Sequence, residues 1–373
     1  MEQNHEFFAS CISGTEEVLC DELRELKIPS VRLNRGGIPF RGEWRDGWRA
    51  CLESRIAQRI QLLLARFPCP DENALYKGIR GIAWEQYITP QKSFAVSAVL
   101  RASHLTHSGF AALKVKDAIV DHIRDRENKR PSVDRDDPDV RVFLYVANDK
   151  ATVYLDMSGE SLHIRGYRAH AVEAPLRETL AAALLRMSGW DRKTPLMDPM
   201  CGSGTIAIEA ALWAISKAPN LDRKRFGFER WANFGATEAD AMRELRGQLR
   251  SEISGTSPRI QASDIDPAAI EIAQKNARTA GVRLSFKQRS LFETQFDGGR
   301  HLVIFNPPYG ERLEADQDFI RKTASAVSRM HGWRVCILAG SPDYERMISA
   351  KPEAVIPIKN GDIPCDFLVY EID

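Results

Sequence analysis

Two hydrophobic periods recur along this chain, a period of two that marks half-buried strands and a period near 3.6 that marks amphipathic helices. HEFFASCI (residues 5–12) reads as a strand, and GTEEVLCDELREL (14–26) as an amphipathic helix with Thr15 placed to cap it. VRLNRGGIPFRG (31–42) predicts a hairpin turning at residues 34–37, and residues 48–67 predict a helix running into a strand. That β-α-β-β-α order suits a small ferredoxin-like α+β unit. A second unit follows. In SFAVSAVL (93–100), Phe94, Val96, Ala98 and Leu100 share one face. Residues 108–126 carry Leu113 with Val120, and Val115, Ile119 and Ile123, at helical spacing. Residues 140–157 predict two strands folded back at Asn148, Asp149 and Lys150, and the charged, proline-containing stretch before them predicts a loop.

From about Arg165 the pattern becomes helix and strand in alternation. Helices are expected over 174–190, 204–215, 267–281 and 318–331, and strands over 195–198, 259–266, 301–306 and 333–340. Two further apolar runs, 354–358 and 366–372, close the chain. Strands separated by helices predict an α/β unit with a doubly wound, mainly parallel sheet. Residues 216–258, rich in Arg, Asp and aromatics, read as a helical insertion after the first crossover helix.

Composition narrows little. Apolar content of 43% and charged content of 28% are ordinary for a globular protein, and 373 residues predict two or three domains. With a net charge of +1, a nucleic acid would have to be held by a local basic face. No apolar run reaches membrane-spanning length, and no secretory signal is expected at the N-terminus. The seven cysteines are scattered, without CxxC spacing. They read as reduced thiols of a cytoplasmic protein, with neither a metal site nor a disulfide framework.

The candidate chemistry lies at strand ends. In DPMCGSGTIAIEAA (198–211) an apolar strand ends in Asp198, Gly202 and Gly204 permit a tight turn, and a helix starts at once. This strand–glycine–helix unit holds a ligand against backbone amides at a helix N-terminus, with Pro199, Cys201, Ser203 and Thr205 as candidate contacts beside the glycines. Its spacing is neither GxGxxG nor GxxxxGK[ST], and an acid before the glycines would repel a pyrophosphate. Cys201 reads as a small residue packed near the ligand. The next strand ends in SDID, where an acid is placed to bind a ribose diol. Asp264 is the first candidate, Asp266 the second, and Ile265 lies between them. A nucleoside carrying positive charge fits both ends, which means S-adenosylmethionine (SAM). FNPPYGERL (305–313) then follows an apolar strand with Asn306, Pro307, Pro308 and Tyr309, a stiff loop bearing an amide and an aromatic ring.

Residues 198–211 resemble motif I of the class I SAM-dependent methyltransferases, and NPPYG resembles motif IV of the amino-methyltransferases. RGYRAHAVEAPLRETLAAALL (165–185) is similar to the motif that follows a THUMP domain. The whole chain resembles the THUMP-containing RNA guanine-N2-methyltransferases, the bacterial large-subunit ribosomal enzyme and its tRNA relatives. The resemblance implies a ferredoxin-like domain over 1–66, an RNA-binding THUMP domain over 67–160, and a Rossmann-like methyltransferase domain with a C-terminal antiparallel strand over 161–373. It also implies transfer of a methyl group from SAM to a guanine N2, in 23S rRNA or tRNA. In this family the loop after the third strand commonly holds an adenine-contacting Asp; here Ser290, followed by Leu291, stands there.

An exocyclic base amine is a poor nucleophile because its lone pair is delocalised into the ring. The Asn306 side-chain oxygen and the Pro307 carbonyl are acceptors that would favour its tetrahedral form, and Tyr309 offers a stacking face for an extruded base. The same loop would serve an adenine-N6 or glutamine-N5 methyltransferase, and a non-catalytic RNA-binding assembly factor on the same fold is the remaining alternative. Lys77, Arg80, Lys92, Arg101, Lys114 and Lys116 are candidate phosphate contacts, and Arg165 and Arg168 are placed at the junction to line the SAM pocket or the RNA path. A monomer is expected.

Overall fold

The computed structural model describes residues 4–168, 176–255, 258–294, 299–308 and 317–373. Its N-terminal half is built on a seven-stranded sheet: β1 (His5–Ser10), β2 (Gly37–Gly42), β3 (Arg59–Pro68), β4 (Ser93–Arg101), β5 (Ser132–Val133), β6 (Val140–Ala147) and β7 (Lys150–Asp156). Their order is β2-β1-β3-β7-β6-β4-β5. The two units read from the sequence therefore share one sheet, joined by the antiparallel pair β3–β7. A bulge between Leu63 and Ala65 keeps Ala65 and Phe67 on the core side. Helices α1 (Glu16–Glu25), α2 (Trp44–Glu53), α3 (Glu72–Arg80) and α4 (Ser108–Glu127) pack through Leu19, Leu52, Ile79 and Val115 onto one face, where Phe7, Leu62, Val142 and Val153 point.

Three local expectations change. Residues 31–34 form no strand, and the segment that follows them, β2, pairs with β1, so the order is β-α-β-α-β. Gly36 and Gly37, at φ of 78° and 155°, turn the chain into β2. Thr15 sits at the cap of α1, but its hydroxyl donates to the Ile12 carbonyl and caps nothing. The charged stretch before β6 contributes β5, two residues that pair in parallel with Ser93 and Phe94. The hairpin β6–β7 turns at Asn148 and Asp149, both left-handed at φ of 48° and 55°, as a two-residue hairpin requires.

The C-terminal half holds α5 (Glu178–Met187), β8 (Leu196–Asp198), α6 (Thr205–Ala214), α7 (Ala236–Ser251), β9 (Ile260–Asp264), α8 (Pro267–Ala280), β10 (Ser285–Gln288), β11 (Leu302–Phe305), α9 (Gln317–Val327), β12 (Trp333–Ala339), α10 (Asp343–Met347), β13 (Ala354–Asn360) and β14 (Ile363–Ile372). The sheet order is β10-β9-β8-β11-β12-β14-β13, parallel through β12 and antiparallel at β14 and β13. Each face has its own core. Ile304 and Leu338 pack with α5, α6 and α8, while Val303, Phe305 and Ile337 pack with α9 and α10. A strand buried on both sides reads as a continuous apolar run, which explains LVIF and VCILA.

The 216–258 segment interrupts this sheet in sequence but not in space. Phe226, Phe228, Trp231, Met242 and Leu249 join the core of the first sheet, with Trp231 edge-on to Trp44 and Tyr87. Buried charges lock the junction. Arg165, expected on the RNA path or the SAM pocket, is instead buried. It donates to the carbonyls of Leu162 and Arg55 at 2.5 Å each and lies 3.7 Å from Glu209 of α6. A guanidinium enclosed in this way is spent on holding the linker between the two halves and has no surface to offer RNA.

Candidate active site

Strand β8 is three residues long and buried, and it delivers Asp198 to the carboxyl end of the sheet. The chain then turns through Gly202 and Gly204 at φ of 50° and 81°. A Cβ on Gly204 would stand 3.0 Å from the Ala273 Cβ, so this glycine is required by both backbone and packing. Helix α6 starts at Thr205 and, directed at the loop, presents its unpaired N-terminal amides there.

Asp264, at the tip of β9, ties the two loops together. One carboxylate oxygen accepts from the Gly202 N–H at 2.8 Å, the other from the Asp266 N–H at 3.0 Å. Asp266, the second sequence candidate, is an exposed helix cap whose side chain accepts from Ala268 N at 2.8 Å. Ile265 between them is 72% exposed, an apolar side chain left bare on the wall of the cleft.

Two polar groups at neighbouring strand tips lack partners. Strands β8 and β11 are adjacent and parallel, which sets Asp198 beside the end of β11, where Asn306 follows. Both Asp198 carboxylate oxygens and the Asn306 Oδ1 are buried and have no hydrogen-bond partner among the described residues. Burial drives the Asp198 carboxyl well above its usual range. The Met200 backbone N–H, near the carboxyl but outside hydrogen-bond geometry, opposes the shift, and the nearby Asp264 adds to it. Buried groups of this kind are costly unless something completes them, so a ligand carrying positive charge and hydrogen-bond donors fits the site. Pro307 is buried and Pro308 exposed; Tyr309 of the sequence motif, with Glu311 and Arg312 after it, lies outside the described residues.

These tips open on a cleft of about 1380 Å³. Pro199, Met200, Cys201, Ser203 and Thr205 line its floor, and Ser290, Leu291 and Phe292 line its side. Ser290 caps the short turn Leu291–Glu293, its hydroxyl accepting from Phe292 N at 3.2 Å. Sequence reading missed Leu176 and Arg177 before α5, Phe319 on α9, and Gly361 and Ile363 at the β13–β14 turn, all of which line the same cleft. They are far apart in sequence and carry no spacing signal.

Arg168 sits half-buried against the glycine loop. It donates to the Leu176 carbonyl at 2.8 Å and to the Thr205 hydroxyl at 2.9 Å, and lies 3.4 Å from Glu178. Beside it, Tyr167 donates to Glu209 at 3.0 Å. Arg168 thus braces the start of α6 and is not free for phosphate. The six other candidate RNA contacts do not converge. Lys77, Arg80 and Lys114 lie on α3 and α4, on the helical side, where Arg80 pairs with Asp125 and both Arg80 and Lys114 stand over the Tyr76 ring. Lys116 pairs with Asp117. Lys92 precedes β4 and Arg101 ends it, about 30 Å apart at the rise of a strand. Among the described residues no three potential ligands cluster to hold a metal ion, and no helix is long and apolar enough to cross a membrane. All seven cysteines are buried, and none is joined to another in a disulfide.

Three family models match successive parts of the chain. A model of an RMKL-like methyltransferase domain matches residues 165–368, a THUMP domain model residues 69–156, and an RlmL ferredoxin-like domain model residues 6–61. The chain is 40% identical to a ribosomal RNA large subunit methyltransferase K/L of Syntrophotalea carbinolica and 38% identical to one of Allochromatium vinosum, over 98% and 99% of its length. It spans about half of those relatives, 53% and 52%. The crystal structure of SMU.472, described as a putative methyltransferase complexed with SAH, superposes with a TM-score of 0.90 at 27% identity, covering 100% of this chain and 99% of that one.

Proposed function

This chain belongs to the RMKL-like methyltransferase domain family, and on that premise we propose that it transfers a methyl group from SAM to the exocyclic N2 of a guanine in 23S rRNA. The observation that carries the proposal is the buried, unpartnered Asn306 Oδ1 at the strand tip beside Asp198 and the glycine loop. SAM supplies a methyl group on a sulfonium, already a good leaving group, so the protein has mainly to position and desolvate. The Gly202–Thr205 loop and the Asp264 carboxylate would hold the nucleoside, with Ile265 and Leu291 against its base. Asn306 Oδ1 would accept a hydrogen bond from the target amine and turn its lone pair toward the methyl group. No strong base is needed, because the ammonium formed is acidic enough to lose its proton readily. The large-subunit relatives support ribosomal RNA as substrate and a cytoplasmic setting, in keeping with seven thiols outside any disulfide.

The test is incubation of the protein with tritiated SAM and, separately, ribosomal RNA and tRNA from cells lacking it, followed by nucleoside analysis. Label in N2-methylguanosine is expected. Label in N6-methyladenosine would move the assignment to another amine, and label in tRNA alone would move it to another RNA. No label in either RNA would overturn it.

A further inference from the structure

The two faces of the N-terminal sheet differ in chemistry. Strand β6, VRVFLYVA, buries Val140, Val142, Leu144 and Val146 and turns Arg141, Phe143 and Tyr145 the other way. Directly across on β7, Tyr154 opposes Phe143, and Phe8 on β1 lies diagonally beyond it. The Phe143 and Tyr154 rings stack at 6.3 Å with 26° between planes, and Phe8 lies 6.0 Å from Tyr154. None of these rings belongs to a hydrophobic core. A solvated sheet face is ordinarily polar, so three half-buried aromatic rings on β1, β7 and β6, a span of four strands with β3 between the first two, call for an occupant.

Charge identifies its class. A groove of about 800 Å³ runs beside Phe143, lined by Arg135 and Arg141 and, from the helical layer, by Leu113 and Lys116 of α4, the latter paired with Asp117. Arg135 is exposed and has no partner among the described residues, and Arg141 donates to the Asp136 carbonyl at 2.8 Å and faces Asp156 electrostatically. Of the nearby carboxylates, Asp156 is engaged by Arg59, Glu6 by Arg41 and Arg66, and Asp137 by Arg230, while Asp134 accepts from the backbone N–H groups of Asp136 and Asp137. Arg141 also lines a second groove, of about 610 Å³, where exposed Lys224 and Arg225 meet the linker to the catalytic half. Aromatic faces flanked by unpaired cations bind unstacked bases and their phosphates, whereas a rigid duplex offers no base face to stack.

Resting on the RNA substrate proposed above, we infer that the open face of the N-terminal sheet binds a single-stranded segment of that RNA, its bases stacked on Phe143, Tyr154 and Phe8 and its phosphates led past Arg135 and Arg141 toward the methyltransferase half. This platform lies opposite the helical surface that carries Lys77, Arg80 and Lys114.

Fluorescence anisotropy of the full chain with a labelled ten-nucleotide single-stranded RNA, and with a blunt duplex of the same sequence, tests it. The single strand binds more tightly than the duplex. Phe143→Leu combined with Tyr154→Leu weakens single-strand binding at least about tenfold, each lost stack contributing about 5- to 150-fold, and leaves the slope of affinity against salt unchanged. Arg135→Gln lowers that slope by about 0.7. Thermal melting and S-adenosylhomocysteine affinity equal to wild type show that both variants fold. Equal single-strand binding by the folded double-leucine variant, or duplex binding as tight as single-strand binding, would overturn the inference and make the aromatic row a cross-strand packing feature. Methylation by the wild type is read separately: a protein that binds the single strand through this face but labels no guanine fails the proposed activity and not this inference.

Discussion

The two sheets of this protein have seven strands each and solve the problem of burial differently. The C-terminal sheet is covered on both faces, so only its strand ends remain for a ligand, and a small molecule is what a strand-end cleft fits. The N-terminal sheet is covered on one face by four helices and by the 216–258 segment. Its other face stays open over several strands, an area suited to a polymer. The contrast teaches that the two halves are specialised by how much of each sheet is left bare. The buried Arg165–Glu209 contact and the Arg168 brace fix one half against the other at the point where the glycine loop begins.

The largest expected effect separates chemistry from binding within the covered sheet. Asn306→Ala lowers kcat by about a hundredfold or more, the scale of losing one preorganised polar group. S-adenosylhomocysteine affinity, by calorimetry, stays within about threefold. Gly204→Val does the reverse, removing cofactor binding because a side chain there meets Ala273, and leaves single-stranded RNA binding on the other half intact. Parallel loss of both kinds of binding in Gly204→Val would mean that the halves do not work separately.

Next in size is Trp231→Ala. It should destabilise the N-terminal half by about 3–5 kcal/mol, the cost of emptying a large aromatic site, although residue 231 lies between two strands of the other half in sequence. Hydrogen exchange read strand by strand would show β1 and β3 losing protection before β11 and β12. Protection lost uniformly would contradict the assignment of that segment to the first core.

Glu178, between the halves, tests the junction by pH. Burial raises its carboxyl from 4.5 to about 7, with Arg168 opposing the shift. The folded state then holds a proton that the unfolded state has released, so this group's stabilisation is complete below about 4.5 and is lost as pH rises to about 7. The melting temperature of Glu178→Gln should fall less than that of wild type across this interval. Equal slopes would show that the carboxyl is ionised in the folded protein.

The smallest effect distinguishes two neighbouring acids. Asp266→Ala should cost about 1 kcal/mol of stability as a lost helix cap and change cofactor affinity little. Asp264→Ala should release Gly202 from its 2.8 Å hydrogen bond and weaken cofactor binding measurably in the same calorimetric experiment.

Much of the fold was legible in local pattern. Period-two and period-3.6 segments located the strands and helices of both halves, and Asn148-Asp149 marked a hairpin because few residues tolerate two successive left-handed positions. Residues 198–205, 264–266, 290–291 and 306–308 were legible as a candidate site because each follows a strand, and parallel strands bring their carboxyl ends to one edge. Less was legible where partners are distant. Leu176, Phe319 and Ile363 reach the cleft from three separate elements, and nothing near them in sequence records it.

The chain's own sequence thus determined the elements, the glycine turns and the identities of the polar groups at the strand tips, since these follow from steric limits on φ and from the order of apolar residues along a strand. Tertiary structure decided which acid ties the loops and which caps a helix, that Arg165 is enclosed and not displayed, that residues 216–258 complete the first core, and that Phe8, Phe143 and Tyr154 share one open face. Each of those depends on which distant surfaces exclude water from one another. That exclusion is set by the packing of the whole chain and is invisible to any short window of it.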